Sequence, residues 1–297
     1  MGSVLPVYMT SAYVLAPLVG IILIGVFWAK RDYPFAGSFI TMLVTSVTTP
    51  ALVFTTLITT ELGASELLEI GGATVLGLLL CGVVAGVALK LAGQPVRPML
   101  QLATFPNAGN LGIPISMLAF GDVGTSTAVT FFAVTSFLTH TVGVRTLPNT
   151  HGVGSWKSPI FVSCLAAVAL RATGTPVPAF VMEMAAMLGA MTVPLMLLSL
   201  GHALALIPST SLRAGAVVGV IRLAAGVGVG YGVIALLPLA PAVGYTLALQ
   251  LSMPCAVVSY MYVRRFTDMH DVAAGAVLVS TVAFLLYVPV LMWMTAG

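Results

Sequence analysis

Charged residues are scarce in this sequence. Only 6% of the 297 residues are Asp, Glu, Lys or Arg, whereas 59% are hydrophobic, and the mean hydropathy is +1.12. A soluble domain carries about 25% charged residues. No soluble core could bury so much apolar surface, so the composition indicates an all-α protein that crosses a lipid bilayer several times. The formal net charge of +3 is carried between the apolar segments, and no nucleic-acid partner is expected.

Cysteines and catalytic motifs are also few. Cys81, Cys164 and Cys255 lie in apolar segments without a C-x-x-C pair, which is typical of reduced core residues. The sequence has no G-x-x-x-x-G-K-[ST], G-x-S-x-G or H-E-x-x-H motif, and its histidines have no metal-ligand spacing. A nucleophile–base or diacid pair for an intramembrane enzyme is not evident either. The sequence therefore predicts no enzyme, no cofactor and no metal site.

Ten apolar segments account for nearly the whole chain. A membrane-spanning helix needs about 20 predominantly apolar residues, and most of the segments have that length. They cover residues 10–29, 36–58, 66–89, 98–120, 123–143, 158–171, 178–205, 212–237, 241–263 and 272–295.

The basic residues between these segments predict the orientation. If the N-terminus is outside the cytoplasm, the odd-numbered loops hold nine Lys and Arg residues and the even-numbered loops hold only Arg171. Cytoplasmic loops are the ones enriched in Lys and Arg, so both termini are expected outside, in a bacterial inner membrane or a plasma membrane. Ten spans then divide into a first five-helix repeat (1–147), a cytoplasmic linker (148–157) and a second, inverted repeat (158–297).

Two short stretches of the first half return in the second. The run Leu-Gln-Leu that precedes Pro106 returns before Pro254, and the Thr-Thr-Pro that ends at Pro50 returns as the Thr-Val-Pro that ends at Pro194. Similar halves with prolines inside apolar segments indicate a secondary transporter built from an internal repeat. Its substrate site is expected where the broken segments meet.

The fourth and ninth segments contain the strongest predicted breaks. Residues 105–114 hold two prolines, two glycines, Asn107 and Asn110, and their counterpart runs from Ser252 to Ala256. A break in mid-membrane exposes the free N–H groups of a half-helix start, which attract anions. A plain proline kink is the alternative, above all at Pro254.

Three further polar residues have two interpretations each. Thr49 and Thr192 adjoin Pro50 and Pro194, where a threonine can repair the kink by bonding a freed carbonyl or can line the substrate cavity. Arg222 lies about 13 Å deeper along its helix than Arg213. It either attracts an anionic substrate or pairs with an acid, or it serves a structural role by snorkelling or by bonding backbone carbonyls.

Several motifs resemble the auxin efflux carrier family, which includes plant auxin exporters and bacterial carboxylate carriers. The most specific is Asn-Ala-Gly-Asn-Leu-Gly-Ile-Pro at 107–114, similar to the family's N-x-G-x-x-G-x-P core. Weaker similarities follow in order at 49–54, 120–124, 194–201 and 253–256, with Arg264 and Arg265 beyond.

The resemblance implies ten spans in an inverted repeat, with a scaffold of spans 1, 2, 6 and 7 and a transport bundle in which broken spans 4 and 9 cross. It also implies a homodimer through the scaffold helices. We therefore expect a carrier of small organic anions, such as auxin-like, malate-like or malonate-like carboxylates, that works by alternating access. The expected substrate-binding residues are Pro106, Asn107, Gly109, Asn110, Ser252, Pro254, Cys255, Thr49 and Thr192.

Two other transport mechanisms stay open. The related bile acid sodium symporters are sodium-coupled, but the acidic residue and the glutamine that they use in the ninth-span break are absent from Ser252–Ala256. An anion channel would conduct without counterflow and would need a continuous pore.

Overall fold

The computed structural model describes residues 4–148, 158–207 and 211–295, and within those ranges every regular element is a helix. Thirteen α-helices follow in order: α1 Val4–Lys30, α2 Gly37–Leu43, α3 Thr49–Thr59, α4 Ala64–Leu91, α5 Val96–Thr104, α6 Ile113–Leu138, α7 Pro159–Thr173, α8 Ala179–Ala190, α9 Thr192–Ala205, α10 Ser211–Leu236, α11 Pro241–Leu251, α12 Val257–Phe266 and α13 His270–Thr295. Three π-helical segments join some of them: Val44–Thr48, Ala108–Gly112 and Thr139–Gly143.

Six helical stretches in the described ranges are long and apolar enough to cross a membrane. They are Gly37–Thr59, Ala64–Leu91, Ala108–Gly143, Ala179–Ala205, Gly215–Leu236 and His270–Leu291. Two shorter apolar helices, Ala16–Lys30 and Pro159–Thr173, accompany them. The helices overlap the predicted apolar segments, although α6 extends from the fourth into the fifth, and most of the predicted linker, 149–157, lies outside the described residues.

Glycines allow the closest helix pairs to touch backbone to backbone. A Cβ on Gly201 of α9 would collide with the Ile22 carbonyl of α1, and a Cβ on Gly25 of α1 would lie 2.9 Å from the His202 backbone nitrogen. Gly215 of α10 lies equally close to the backbone of α13. Small residues at such contacts are typical of membrane helices, which associate through close packing rather than the hydrophobic effect.

The prolines of the second and seventh segments lie inside longer helical stretches. Pro50 follows the π-helical segment Val44–Thr48 within Gly37–Thr59, and Pro194 follows the turn at Met191 within Ala179–Ala205. The hydroxyls of Thr49 and Thr192 are buried without a hydrogen-bond partner among the described residues, so neither forms the predicted repair bond to a freed carbonyl there.

The fourth segment ends at a tight turn inside α6. Gly121 has φ +60°, a left-handed conformation that glycine adopts without steric cost, and it divides α6 into two parts. The predicted link between the fourth and fifth segments lies at this turn.

The two strongest predicted breaks are real interruptions. α5 ends at Thr104, and helical structure resumes at Ala108; α11 ends at Leu251, and α12 begins at Val257. Three buried apolar clusters include residues of these interruptions, so each irregular stretch is enclosed by protein rather than by lipid. Irregular backbone at membrane depth requires such an environment, because lipid offers its polar groups no partners.

Candidate substrate site at the helix crossing

The two interrupted helices meet and pair through their backbones, and this meeting point is called the crossing below. The Asn107 N–H donates to the Pro254 carbonyl at 2.8 Å, and the Ala256 N–H donates to the Phe105 carbonyl at 3.3 Å. Pro106 and Cys255 face each other in this short antiparallel bridge. Backbone groups lose their helical partners where the two helices break. The pairing gives some of these groups new hydrogen-bond partners, which stabilises the buried extended chain.

Asn107 lies at the centre of the crossing and begins the next helical segment. Its carbonyl accepts the Gly112 N–H at 3.1 Å, while its side chain is only 4% exposed. The Nδ2 atom of that side chain has no hydrogen-bond partner among the described residues. A buried amide without a partner costs about 1–3 kcal/mol, so its donors are available to a ligand.

The glycines after Asn107 let neighbouring helices approach closely. A Cβ on Gly109 would lie 2.7 Å from a ring carbon of Phe132, and a Cβ on Gly112 would overlap the amide of Gln250. Gly109 is therefore a packing contact with the second part of α6. Asn110, between the two glycines, is half-buried.

The predicted residues of the ninth segment are held by hydrogen bonds of their own. The Ser252 hydroxyl donates to the Ala248 carbonyl at 2.7 Å, and the Ser252 carbonyl accepts the Tyr287 hydroxyl at 3.0 Å. The Cys255 N–H donates to the Ser280 hydroxyl at 3.1 Å. Both side chains are buried beside the bridge, with exposed fractions of 1% and 0%.

Arg222 of α10 has no exposed surface, and its guanidinium reaches both interrupted helices. It donates to the Ala103 and Thr104 carbonyls at 3.2 and 2.7 Å, to the Met253 carbonyl at 3.2 Å and to the Leu251 carbonyl. The described residues include every Asp and Glu of the chain, and none of these forms an ion pair with it. Of the two predicted roles, these contacts are those of carbonyl bonding.

Two glutamines that the sequence analysis used only as repeat markers are buried polar groups near the crossing. Gln250 has no exposed surface; its Nε2 donates to the Ser116 hydroxyl at 3.2 Å, and its Oε1 has no partner in the described ranges. Gln101 is equally buried, and neither of its amide atoms has a partner there. Gln101 and Gln250 occupy equivalent positions in the repeat, so the sequence already indicated a polar side chain near each break.

One cavity of about 370 Å³ lies between α3 and α8, away from the crossing. Thr55, Thr56, Thr59 and Glu183 provide its polar lining. Of the predicted site residues, only Thr49 belongs to one of these two helices, and it does not line the cavity. The described residues contain no group of three or more His, Cys, Asp or Glu side chains that could hold a metal ion.

Comparison with known proteins gives one family. Residues 150–292 match the model of a family described as membrane transport protein. Over these residues the chain is similar to membrane transport proteins of the auxin efflux carrier type. The comparison with curated proteins gives no match. The family match confirms the resemblance that was stated from the motifs.

The family also bears on three general predictions. The family is one of transporters rather than enzymes, and together with the six long apolar helices it identifies an integral membrane protein. A transporter of this kind acts on a small-molecule substrate within the lipid bilayer.

Proposed function

We propose that this transporter moves small organic anions, namely mono- or dicarboxylates of the auxin, malate or malonate kind, by alternating access. The observation that carries the proposal is the backbone-paired crossing, where the buried Nδ2 of Asn107 has no partner among the described residues. A carboxylate supplies the acceptor oxygens that such a donor lacks.

Two half-helix starts at the crossing supply further donors. The backbone N–H groups of Gly109 and Asn110 have no backbone acceptor in the described chain, and the same holds for the first residues of α12, Val257 to Ser259. Free N–H groups at a helix start carry a partial positive charge that favours anions. The buried Ser259 hydroxyl, which also has no partner in those ranges, adds one more polar group.

We assign Asn107 and Asn110 to orient the carboxylate, with Pro106 and Pro254 keeping the two breaks open. Ser252 and Cys255 form the wall on the ninth segment, and Gly109 sets the spacing to Phe132. Thr49 and Thr192 are secondary contacts, because their hydroxyls are buried without partners among the described residues. Arg222 acts on the substrate only through the field of its charge, since its donors are directed to carbonyls.

The pattern of helix contacts supports an inverted repeat of 1–147 and 158–297. If the halves are exchanged, α1 corresponds to α7 and α3 to α8 and α9; α1 packs on α9, and α7 packs on α3. Likewise α4 packs on α6, as α10 packs on α13. We therefore propose a scaffold of α1, α2, α3, α7, α8 and α9, against which the remaining helices move as the transport bundle.

Two further proposals concern the topology and the assembly of the protein. We propose that both termini lie outside the cytoplasm, because the basic residues between segments gather on one side. We also propose a homodimer through the scaffold, which rests on the family resemblance.

Counterflow into proteoliposomes tests the anion assignment. Vesicles are loaded with one carboxylate from a panel, and uptake of the same labelled acid is measured in sodium and in choline buffers. We expect loaded vesicles to take up one acid faster than empty ones, equally in both buffers. Uptake without acceleration by internal acid indicates a channel, sodium-dependent uptake indicates a symporter, and no uptake of any acid contradicts the anion assignment.

A further inference from the structure

The carbonyl oxygens around Arg222 come from one particular kind of place in the fold. Ala103 and Thr104 form the C-terminal end of α5, and Leu251 and Met253 lie at the end of α11. Both are ends of interrupted helices that are buried inside the protein. The C-terminal end of a helix carries a partial negative charge of about half an elementary charge, because its last carbonyls have no helical partner.

Two such ends that meet inside a protein attract a cation. In secondary transporters with interrupted helices, unwound carbonyls and half-helix C-terminal ends are the groups that coordinate the coupling Na⁺ or H⁺. Here the guanidinium of Arg222 takes that position and contacts both ends at once. Four of the five N–H donors of an arginine can be assigned to these carbonyls.

The surroundings of Arg222 fit a cation that is permanently in place. Arg222 is completely buried, and no carboxylate pairs with it, so the four carbonyls are its compensation among the described residues. Gly226, one turn further along α10, leaves room for the guanidinium, because a Cβ there would lie 2.7 Å from Nη2 of Arg222. A buried charge that lost these partners would be strongly unfavourable.

We propose that Arg222 is a built-in cation. Its guanidinium occupies the place between the two half-helix ends where other carriers bind a coupling cation, holds α5 and α11 together, and makes sodium unnecessary at the crossing. The proposal deepens the proposed function and rests on it for the statement about coupling, but the contacts themselves do not depend on which substrate is carried.

Thermal unfolding of the purified full-length protein in detergent tests the proposal without a transport assay. We expect wild type to have the same Tm in sodium chloride as in choline chloride. Arg222→Ala should lower the Tm by roughly 5 °C or more, because several hydrogen bonds to a charged donor are lost. Millimolar guanidinium chloride should restore part of that loss, since the ion fits the space left by the side chain.

Two further variants separate charge from packing. Arg222→Met fills the space without charge, so guanidinium should not raise its Tm, whereas Arg222→Lys keeps the charge and should be more stable than Arg222→Met. Arg171→Ala is the matched control: Arg171 also donates to three carbonyls, those of Leu57, Thr60 and Leu62, none of which belongs to α5 or α11. Its loss should lower the Tm and leave any carboxylate counterflow intact.

Several results would overturn the proposal: a sodium-specific rise of several degrees in the Tm of wild type, an Arg222→Ala protein that guanidinium does not stabilise, or an Arg222→Met protein at least as stable as Arg222→Lys. If Arg222→Ala cannot be purified, the wild-type comparison and the Lys–Met pair still decide. Failure of carboxylate counterflow in wild type would contradict the anion assignment alone. The stability results would still test the role of Arg222.

Discussion

At the scale of single residues, the crossing contains buried polar groups that the fold does not satisfy. The amides of Asn107 and Gln101 and one amide oxygen of Gln250 have no partner among the described residues. A protein that needed only stability would place apolar side chains there, because each unpaired group costs free energy. Their presence beside the two helix breaks is consistent with a site that a ligand completes.

Gln101 gives a prediction about stability. Replacement by methionine removes a buried amide whose two polar atoms lack partners, and methionine has a similar shape. We expect Gln101→Met to raise the free energy of unfolding by about 1–3 kcal/mol. Gln250→Met should gain less, because it loses the bond to the Ser116 hydroxyl.

Thermal or denaturant unfolding of both variants in detergent measures this difference. A lower stability of Gln101→Met would contradict the interpretation and would mean that the amide binds a group that helps to hold the fold together.

Residue types were enough to predict the breaks, but not the contacts across them. Pro106 and Pro254 have no N–H and lie in apolar segments, so interruption there follows from the sequence. The partners of Arg222 belong to two other helices, and only the assembled fold brings them within reach. Thr49 and Thr192 form no repair bond among the described residues, which their position beside a proline does not reveal.

At the scale of helices, close backbone contact between α1 and α9 defines the proposed scaffold. Gly201 faces the Ile22 carbonyl, so a branched side chain there would force the helices apart. We expect Gly201→Val to lower the free energy of unfolding by about 1–3 kcal/mol or more through overpacking. Gly228→Ala of α10, whose Cβ would have nothing within 4 Å, is the control and should leave stability unchanged or slightly raised.

Melting temperatures of the two variants give the comparison. Equal Tm values for wild type and Gly201→Val would show that α1 and α9 do not pack as described.

At the scale of the whole molecule, the distribution of charge predicts how the chain lies in the membrane. Lys90 lies in the last turn of α4 and Glu61 precedes the helix, and both side chains are exposed. With the termini outside, position 90 faces the cytoplasm and position 61 faces the opposite side.

Cysteine labelling tests this orientation. In a background without Cys81, Cys164 and Cys255, a membrane-impermeant maleimide applied to intact cells should label Glu61→Cys and leave Lys90→Cys unlabelled until the cells are opened. The reverse pattern would mean that the termini face the cytoplasm.

The central claim is that a carboxylate binds at the crossing of the two interrupted helices, with Asn107 as its main side-chain contact. Asn107→Leu keeps the backbone N–H that pairs with Pro254 and removes the buried amide, so the fold should persist while binding is lost. Gln94→Leu, the same kind of exchange beyond the end of α4, is the matched control.

The most direct measurement is carboxylate counterflow in proteoliposomes that contain equal amounts of folded wild type, Asn107→Leu and Gln94→Leu. The account predicts accelerated exchange of one acid by wild type and Gln94→Leu and at least a roughly 100-fold loss in Asn107→Leu, as when a charge-assisted hydrogen bond worth about 3 kcal/mol is removed. Wild-type exchange by a well-inserted Asn107→Leu protein would contradict it and would place the site elsewhere in the molecule.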